Sequence, residues 1–298
     1  MLGVRTPFAP KRDDSCMPAA FAHTVVPVDG SSTADRGVAF ALELARGGGS
    51  VTFCSVVDPA LAGVPAGYGG GLEPGPMLTI LEQDAAEFCR RAEAEAAGAG
   101  VAADGRVLHG QCVEAIESLV RLSEAQAIVL GTHGRTGLAR GVLGSVAEGL
   151  LRRSDVPVVT VHERDVMRTG PIAVALDESP AAHAALETAT WIASARGIAI
   201  ALIHACDRPN SDPGRVNALT EGAAKRVRAR GVHVEVLVRE GPPRATLLGL
   251  ADELECCMIV MGTHGRAFLQ RLLLGSVAAH VVEHARVPVV TVRRAIEA

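Results

Sequence analysis

The sequence predicts an α/β fold made of two tandem, doubly wound, five-stranded parallel sheets of Rossmann-like type, with the halves related as a pseudo-two-fold pair. Three observations lead there. Gly-Thr-His-Gly occurs twice, at Gly131 to Gly134 and Gly262 to Gly265, and each copy continues after nine residues into Gly-Ser, at Gly144-Ser145 and Gly275-Ser276. A constant offset of 131 residues relates Gly131 to Gly262, Gly144 to Gly275, Pro157 to Pro288 and Gly110 to Gly241. Short β-branched runs alternate with helical stretches throughout, the pattern of a parallel sheet covered on both faces.

Taken in chain order, residues 1–22 mix Arg5, Lys11, Arg12, Asp13 and Asp14 with prolines and read as a loosely ordered tail. A first domain is expected over 23–166, with strands near Thr24 to Val28, Val51 to Val57, Gly105 to Leu108, Ala127 to Leu130 and Val156 to Val161. Helical stretches lie between them at Ala34 to Ala45, Leu81 to Ala97 and Val146 to Leu151. The second domain, over 167–298, repeats the order with strands near Ile172 to Leu176, Ile198 to His204, His233 to Val238, Met258 to Met261 and Val287 to Val292. Its helices include Ala182 to Ala195 and Asn217 to Arg230. Asp29 and Asp177 are 148 residues apart rather than 131, which locates an insertion of 17 residues, to within one, in the first half. Its natural place is Ala60 to Pro76, where Gly-Tyr-Gly-Gly-Gly and Pro-Gly-Pro imply an irregular loop.

Composition bounds the function. With 298 residues, 48% of them hydrophobic, the chain is long enough for two domains with their own cores. A net charge of -4 argues against a general nucleic-acid or anionic-membrane binder, and 3% aromatic residues leave few stacking platforms for unpaired bases. Seven cysteines without a C-x-x-C pair fit reduced thiols rather than a disulfide frame or zinc site; the vicinal Cys256-Cys257 pair reads as small residues entering a buried strand. No apolar run approaches the roughly 18 residues needed to cross a bilayer, so the expected location is cytoplasmic, with no membrane partner.

The glycine pattern carries the chemistry. Glycine has no Cβ and tolerates positive φ, so a glycine loop lets an anion approach main-chain N–H groups. Gly144-Ser145 and Gly275-Ser276 then head helices whose first-turn N–H groups lack intrahelical partners and whose dipole end is positive. The competing reading is a pair of tight strand-to-helix turns, but recurrence after matching strands favours a phosphate site. In doubly wound sheets ligands bind beyond the carboxyl ends of the strands, where strand order reverses. Asp29 and the Gly131 loop both lie at such ends and are expected to converge.

At this point the chain resembles the universal stress proteins, as a tandem pair of the nucleotide-binding type, from about His23 to Val292. The resemblance rests on Pro27-Val28-Asp29, on Gly131-x-x-Gly134-(nine)-Gly144-Ser145, on Val156-Pro157-Val158-Val159-Thr160-Val161, and on the repeats of these features. It implies sheets in the order 3-2-1-4-5 that hold ATP, with or without Mg²⁺. It further implies that Asp29 contacts adenosine, that Pro27 and Val56 line the base, and that Leu130, Gly131, Gly134, Gly144, Ser145 and Val146 hold ribose and phosphates. The second-half counterparts are Asp177, Ala205, Met261, Gly262, Gly265, Gly275, Ser276 and Val277. Ala175 and Ala205 replace Pro27 and Val56, and two lost apolar contacts are worth on the order of 1 to 2 kcal/mol, about tenfold in affinity. Weaker binding in the second half is therefore expected.

Arg135 and Arg266 follow the second glycine of each motif and either pair with a terminal phosphate or stand as solvated loop charges. His133 and His264 read as turn residues, since no adjacent nucleophile and orienting acid accompany them. No catalytic or metal-ligating residue is assigned. Three function classes follow: an ATP-binding sensor or regulator in stress response that turns over slowly or not at all, an ATP-hydrolysing or self-phosphorylating enzyme, and a ligand-free interaction module. Neither loop carries the Gly-x-x-x-x-Gly-Lys-Ser/Thr pattern, which places the sensor first. The last strands of both halves are too apolar to remain open edges, so an intramolecular pseudo-dimer is expected, with further homodimerisation and a protein partner left open.

Overall fold

The structure, a computed structural model, describes residues 19–58, 76–133, 143–206, 212–264 and 274–294. The chain divides into two compact units, one built mainly on Ala19–Asp165 and the other mainly on Val166–Leu269 and Gly275–Glu297. In the first, the elements are β1 (His23–Pro27), α1 (Ser32–Ala45), β2 (Ser50–Val57), α2 (Pro76–Ala99), β3 (Ala102–His109), α3 (Cys112–Leu122), β4 (Ala127–Gly131), α4 (Ser145–Arg153) and β5 (Val158–Val161). The strands pair in parallel in the order β3-β2-β1-β4-β5.

The second unit repeats the plan: β6 (Ile172–Ala175), α5 (Pro180–Arg196), β7 (Ile200–Cys206), α6 (Pro213–Ala229), β8 (Val234–Glu240), α7 (Pro243–Glu253), β9 (Met258–Gly262), α8 (Ser276–His284) and β10 (Val289–Val292). Its order is β8-β7-β6-β9-β10, again all parallel. Both sheets are five-stranded and doubly wound, in the order 3-2-1-4-5.

Central strands are apolar along their length because helices cover both faces. Val25 and Val26 of β1, Ala127 to Leu130 of β4 and Ile172 to Val174 of β6 are all buried. Proline and glycine set several boundaries. Helices α5, α6 and α7 each begin with proline, whose missing N–H would have no intrahelical partner there, and α5 ends on Gly197 in the left-handed region at φ 62°. Strand β5 starts only after Pro157, whose carbonyl still accepts from Ile128 N–H at 2.9 Å.

Three segments differ from the sequence reading. The edge strand β3 runs over 8 residues rather than Gly105 to Leu108 alone. It has only one neighbour, so its polar side chains face water or each other: Thr52 Oγ1 donates to Asp104 Oδ1 at 2.5 Å, and Arg106 Nε to Asp104 Oδ2 at 2.8 Å. Helix α2 starts at Pro76 and has 24 residues against 17 in α6, so part of the first-half insertion lengthens the helix; residues 59–75, where the rest of it is expected, lie outside the described residues. The last residues assigned to the tail pack into the first unit. Phe21 is buried, Ala20 N–H donates to Leu44 O at 3.0 Å, and Ala22 N–H to Gln126 Oε1 at 2.6 Å. Among the described residues no helix is long and apolar enough to cross a membrane.

Candidate functional site

In each unit the strand order reverses between the first and fourth strands, β1 beside β4 and β6 beside β9. Connections from neighbouring strands depart to opposite faces there, which opens a crevice at the carboxyl ends. The expected residues sit at that rim. Pro27, Asp29, Val56 and Gly131 are half-exposed in the first unit, as are Ala175, Asp177, Ala205 and Gly262 in the second. Leu130 and Met261 are buried, so their side chains serve the core and only their main chain can face a ligand. Strand register verifies the pairing of the halves: Pro27 lies opposite Cys54 and Ala175 opposite Ile203, which makes Val56 and Ala205 equivalent positions two residues further on.

The first crevice is stitched together by short polar contacts. Asp29 Oδ1 accepts from Ser31 N–H at 3.0 Å and from Ser31 Oγ at 2.6 Å, a turn that sets the start of α1. Ser31 caps that helix by accepting from Ala34 N–H at 3.2 Å. Thr33 then donates its hydroxyl to the carbonyl of His133, which ties the first turn of α1 to the loop after β4. On the other side of that loop Gly144 N–H donates to Thr132 O at 2.9 Å, joining the start of α4 to the same strand end.

The glycines act through the absence of a side chain rather than through positive φ. A Cβ on Gly131 would lie 2.6 Å from the Thr33 carbonyl carbon, and one on Gly144 would lie 3.1 Å from Thr132 O. Gly144 and Gly275, at φ -63° and -62°, adopt ordinary extended backbone as N-caps. Neither supplies a side-chain cap, whereas Ser31 and Ser179 do so for α1 and α5. The first-turn N–H groups at Ser145 to Ala147 and Ser276 to Ala278 thus head helices whose caps are bare glycine, and Ser145 and Ser276 are exposed. Helices α3 and α7 also lack a capping side-chain bond, but Gln111 and Pro242 occupy their caps.

The second crevice keeps the frame and changes the fittings. Asp177 Oδ1 accepts from Ser179 N–H at 2.8 Å, Ser179 caps α5 through Ala182 N–H at 3.1 Å, and Gly275 N–H donates to Thr263 O at 2.8 Å. A Cβ on Gly262 would lie 2.7 Å from the Ala181 carbonyl carbon, so this helix approaches its strand as closely as α1 does. Ala181 stands where Thr33 does and has no hydroxyl to offer the loop. Gly30, at φ 78° beneath the ring of Phe88, is replaced by Glu178, which is ion-paired with Arg215 through both carboxylate oxygens.

Sequence reasoning missed Thr33 and a buried group beside the first loop. The rings of His133 and His162 meet edge-on with centroids 6.2 Å apart, and Thr132 Oγ1 lies 3.0 Å from His133 Nδ1. Asp165 Oδ2 accepts from His162 N–H at 2.8 Å, and Arg36 donates to the Asp165 carbonyl at 3.0 Å. Burial pushes the Asp165 carboxyl up to about 6, against the pull of that amide, Arg164 and Arg36. Burial likewise raises the thiols of Cys54, Cys89 and Cys112, and brings Cys256 and Cys257 to about 12, so these five are neutral packing groups rather than nucleophiles. Gly134, Arg135, Gly265 and Arg266 lie outside the described residues.

Both halves match the family model described as the Universal stress protein family, over residues 20–162 and 169–293. The chain belongs to the universal stress protein family. It is 31% identical over 300 positions to a universal stress protein of Mycolicibacterium smegmatis, a match covering 90% of this chain and 96% of that relative. A universal stress protein of Mycobacterium tuberculosis is 35% identical over 197 positions; that match covers 60% of this chain and spans 66% of the relative's length. Among solved structures, a universal stress protein from Archaeoglobus fulgidus superposes with a TM-score of 0.73 at 22% identity, covering 93% of this chain and 97% of that one. One from Pseudomonas aeruginosa gives 0.61 at 16% identity, covering 92% and 94%. At these identities the superpositions establish a shared fold.

Proposed function

We propose that this universal stress protein binds ATP in stress response, more tightly in its first half than in its second, and acts through occupancy rather than turnover. The observation that supports this reading is the bare glycine cap on α4 and α8, each helix following the fourth strand of its sheet, beside the strand-order reversal. Helix N–H groups without a competing side-chain acceptor suit phosphate oxygens, and the positive dipole end adds to the attraction. A carboxylate has room for about four hydrogen bonds, so Asp29 can hold its turn and still accept from ribose hydroxyls or an amino group. Pro27 and Val56 offer the first half more apolar wall than Ala175 and Ala205 offer the second.

Slow turnover follows from the charge available. Phosphoryl transfer depends on positive charge placed where negative charge develops, and neither loop contains lysine. Main-chain amides with Arg135 or Arg266 supply affinity more readily than rate.

The test combines mass spectrometry of ligand released from the purified chain with ATP titration, with and without Mg²⁺. ATP is expected to copurify, and Gly144→Trp is expected to lower affinity roughly tenfold more than Gly275→Trp, about 1.4 kcal/mol. No released nucleotide and no titration at millimolar ATP would leave an interaction module as the better account. Labelled-ATP turnover far above the Gly144→Trp control would establish an enzyme instead.

A further inference from the structure

Helix α8 carries two histidines, His280 midway along it and His284 as its last residue. A spacing of four residues puts both on one helix face. Their rings lie nearly parallel, with centroids 4.0 Å apart and planes 20° from each other, and both side chains reach solvent, His280 half-exposed and His284 exposed. His284 Nδ1 lies 2.9 Å from the His280 carbonyl. As the donor in that contact Nδ1 holds the ring proton, which leaves Nε2 with a free lone pair. The same N–H to carbonyl bond commonly fixes the tautomer of a metal-bound imidazole.

With the planes only 20° from parallel the two in-plane lone pairs do not meet in the stacked arrangement, so one ion held by both requires the surface rings to rotate about their side-chain bonds. The site also sits at the carboxyl end of α8, where unsatisfied carbonyls give a negative potential. At the equivalent places in α4, 131 residues earlier, stand Gly149 and Arg153, and Arg153 is paired with Glu114 and Glu117. The first half therefore supplies an internal comparison without the pair.

We propose that His280 and His284 form a bidentate surface site for an imidazole-preferring divalent transition metal, with Zn²⁺ as the reference ion and Cu²⁺ and Ni²⁺ as stronger-binding or similar probes. Two imidazoles from one helix face occupy two coordination positions and water completes the shell. Oxygen-preferring Mg²⁺ is excluded by the ligand type, which separates this site from any ion carried with a nucleotide.

The experiment uses the full chain, stripped with chelator and kept reduced, titrated calorimetrically with zinc chloride at neutral pH. His280→Ala and His284→Ala are each expected to weaken the binding event roughly tenfold or more, because loss of either imidazole removes the intramolecular second ligand. With Cu²⁺, paramagnetic resonance should show coupling to two nitrogens in the parent chain and to fewer in either variant. Unchanged affinity and stoichiometry in the double variant, or no binding at about 0.1 mM Zn²⁺, would overturn the assignment. Both positions reach solvent, so circular dichroism of the variants should match the parent; the copper spectrum remains a direct readout of ligand identity if it does not.

Discussion

The turns after the first strands of the two halves, Asp29-Gly30-Ser31 and Asp177-Glu178-Ser179, use the same carboxylate-to-amide bond and the same serine cap. Beyond that they diverge. The first half adds a Thr33 hydroxyl bonded to the loop carbonyl and a buried Asp165 beside His162, while the second has Ala181 and an outer ion pair between Glu178 and Arg215. Also shared is the near contact of a helix start with a strand end, at Gly131 against Thr33 and Gly262 against Ala181. The common frame is thus this close approach with its Asp–Ser turn, and the contacts built onto it differ. A site that depends on the frame alone would survive in both halves, and one that depends on the detail would survive in the first.

The largest expected effect breaks the frame itself. Gly131→Val and Gly262→Val each force branched carbons into main-chain atoms less than 3 Å from an ideal Cβ, and each should destabilise its unit by about 3 kcal/mol. Urea unfolding of the two variants measures this, and a loss confined to one half would show that the close approach is not a shared requirement.

Next in size is Asp165→Asn. The folded carboxyl is raised from 3.8 to about 6, so the fold favours its protonated form; that contribution is complete below 3.8 and is lost as pH rises through about 6. Asparagine cannot ionise, so the variant should be more stable than the parent by about 2 kcal/mol at pH 8 and close to it at pH 3. Denaturation curves at both values test the difference, and a gain that did not depend on pH would refute the titration argument. The smallest effect sharpens the comparison: Thr33→Ala makes the first loop resemble the second. It should cost about 1 kcal/mol and bring the ATP affinities of the two halves closer, read by titration against a Gly275→Trp background.

Much of this architecture was legible because central strands of a covered sheet are continuous apolar runs, as at Val25-Val26 and Ala127 to Leu130, while Pro157 and Gly197 punctuate the chain. Edge strand β3 was read too short because only one side of it must be buried, so Ala102 to Asp104, with two exposed alanines, carried no apolar pattern to extend it. The extended start of α2 was hidden by Pro-Gly-Pro, in which Pro76 opens the helix rather than ending a loop. At the crevice, recurrence pointed to Asp29, Gly131 and Gly144 as a group, and the structure brings their turns together. Glycine there also has a packing reason beside main-chain access, since a Cβ on Gly131 would meet the start of α1 and one on Gly144 would crowd the carbonyl of Thr132. Thr33 and Asp165 left no signal, because a hydroxyl reaching a carbonyl 100 residues away and a carboxylate buried after β5 depend on how α1 settles against the sheet.

Phe88 over Gly30 and Arg215 on Glu178 brace equivalent turns of the two halves with different forces. The aromatic contact of the first is insensitive to dissolved ions, whereas the guanidinium of the second is 67% exposed and its attraction is screened within about 8 Å at physiological ionic strength. Raised ionic strength would therefore weaken the contact in the second half and leave the one in the first half in place.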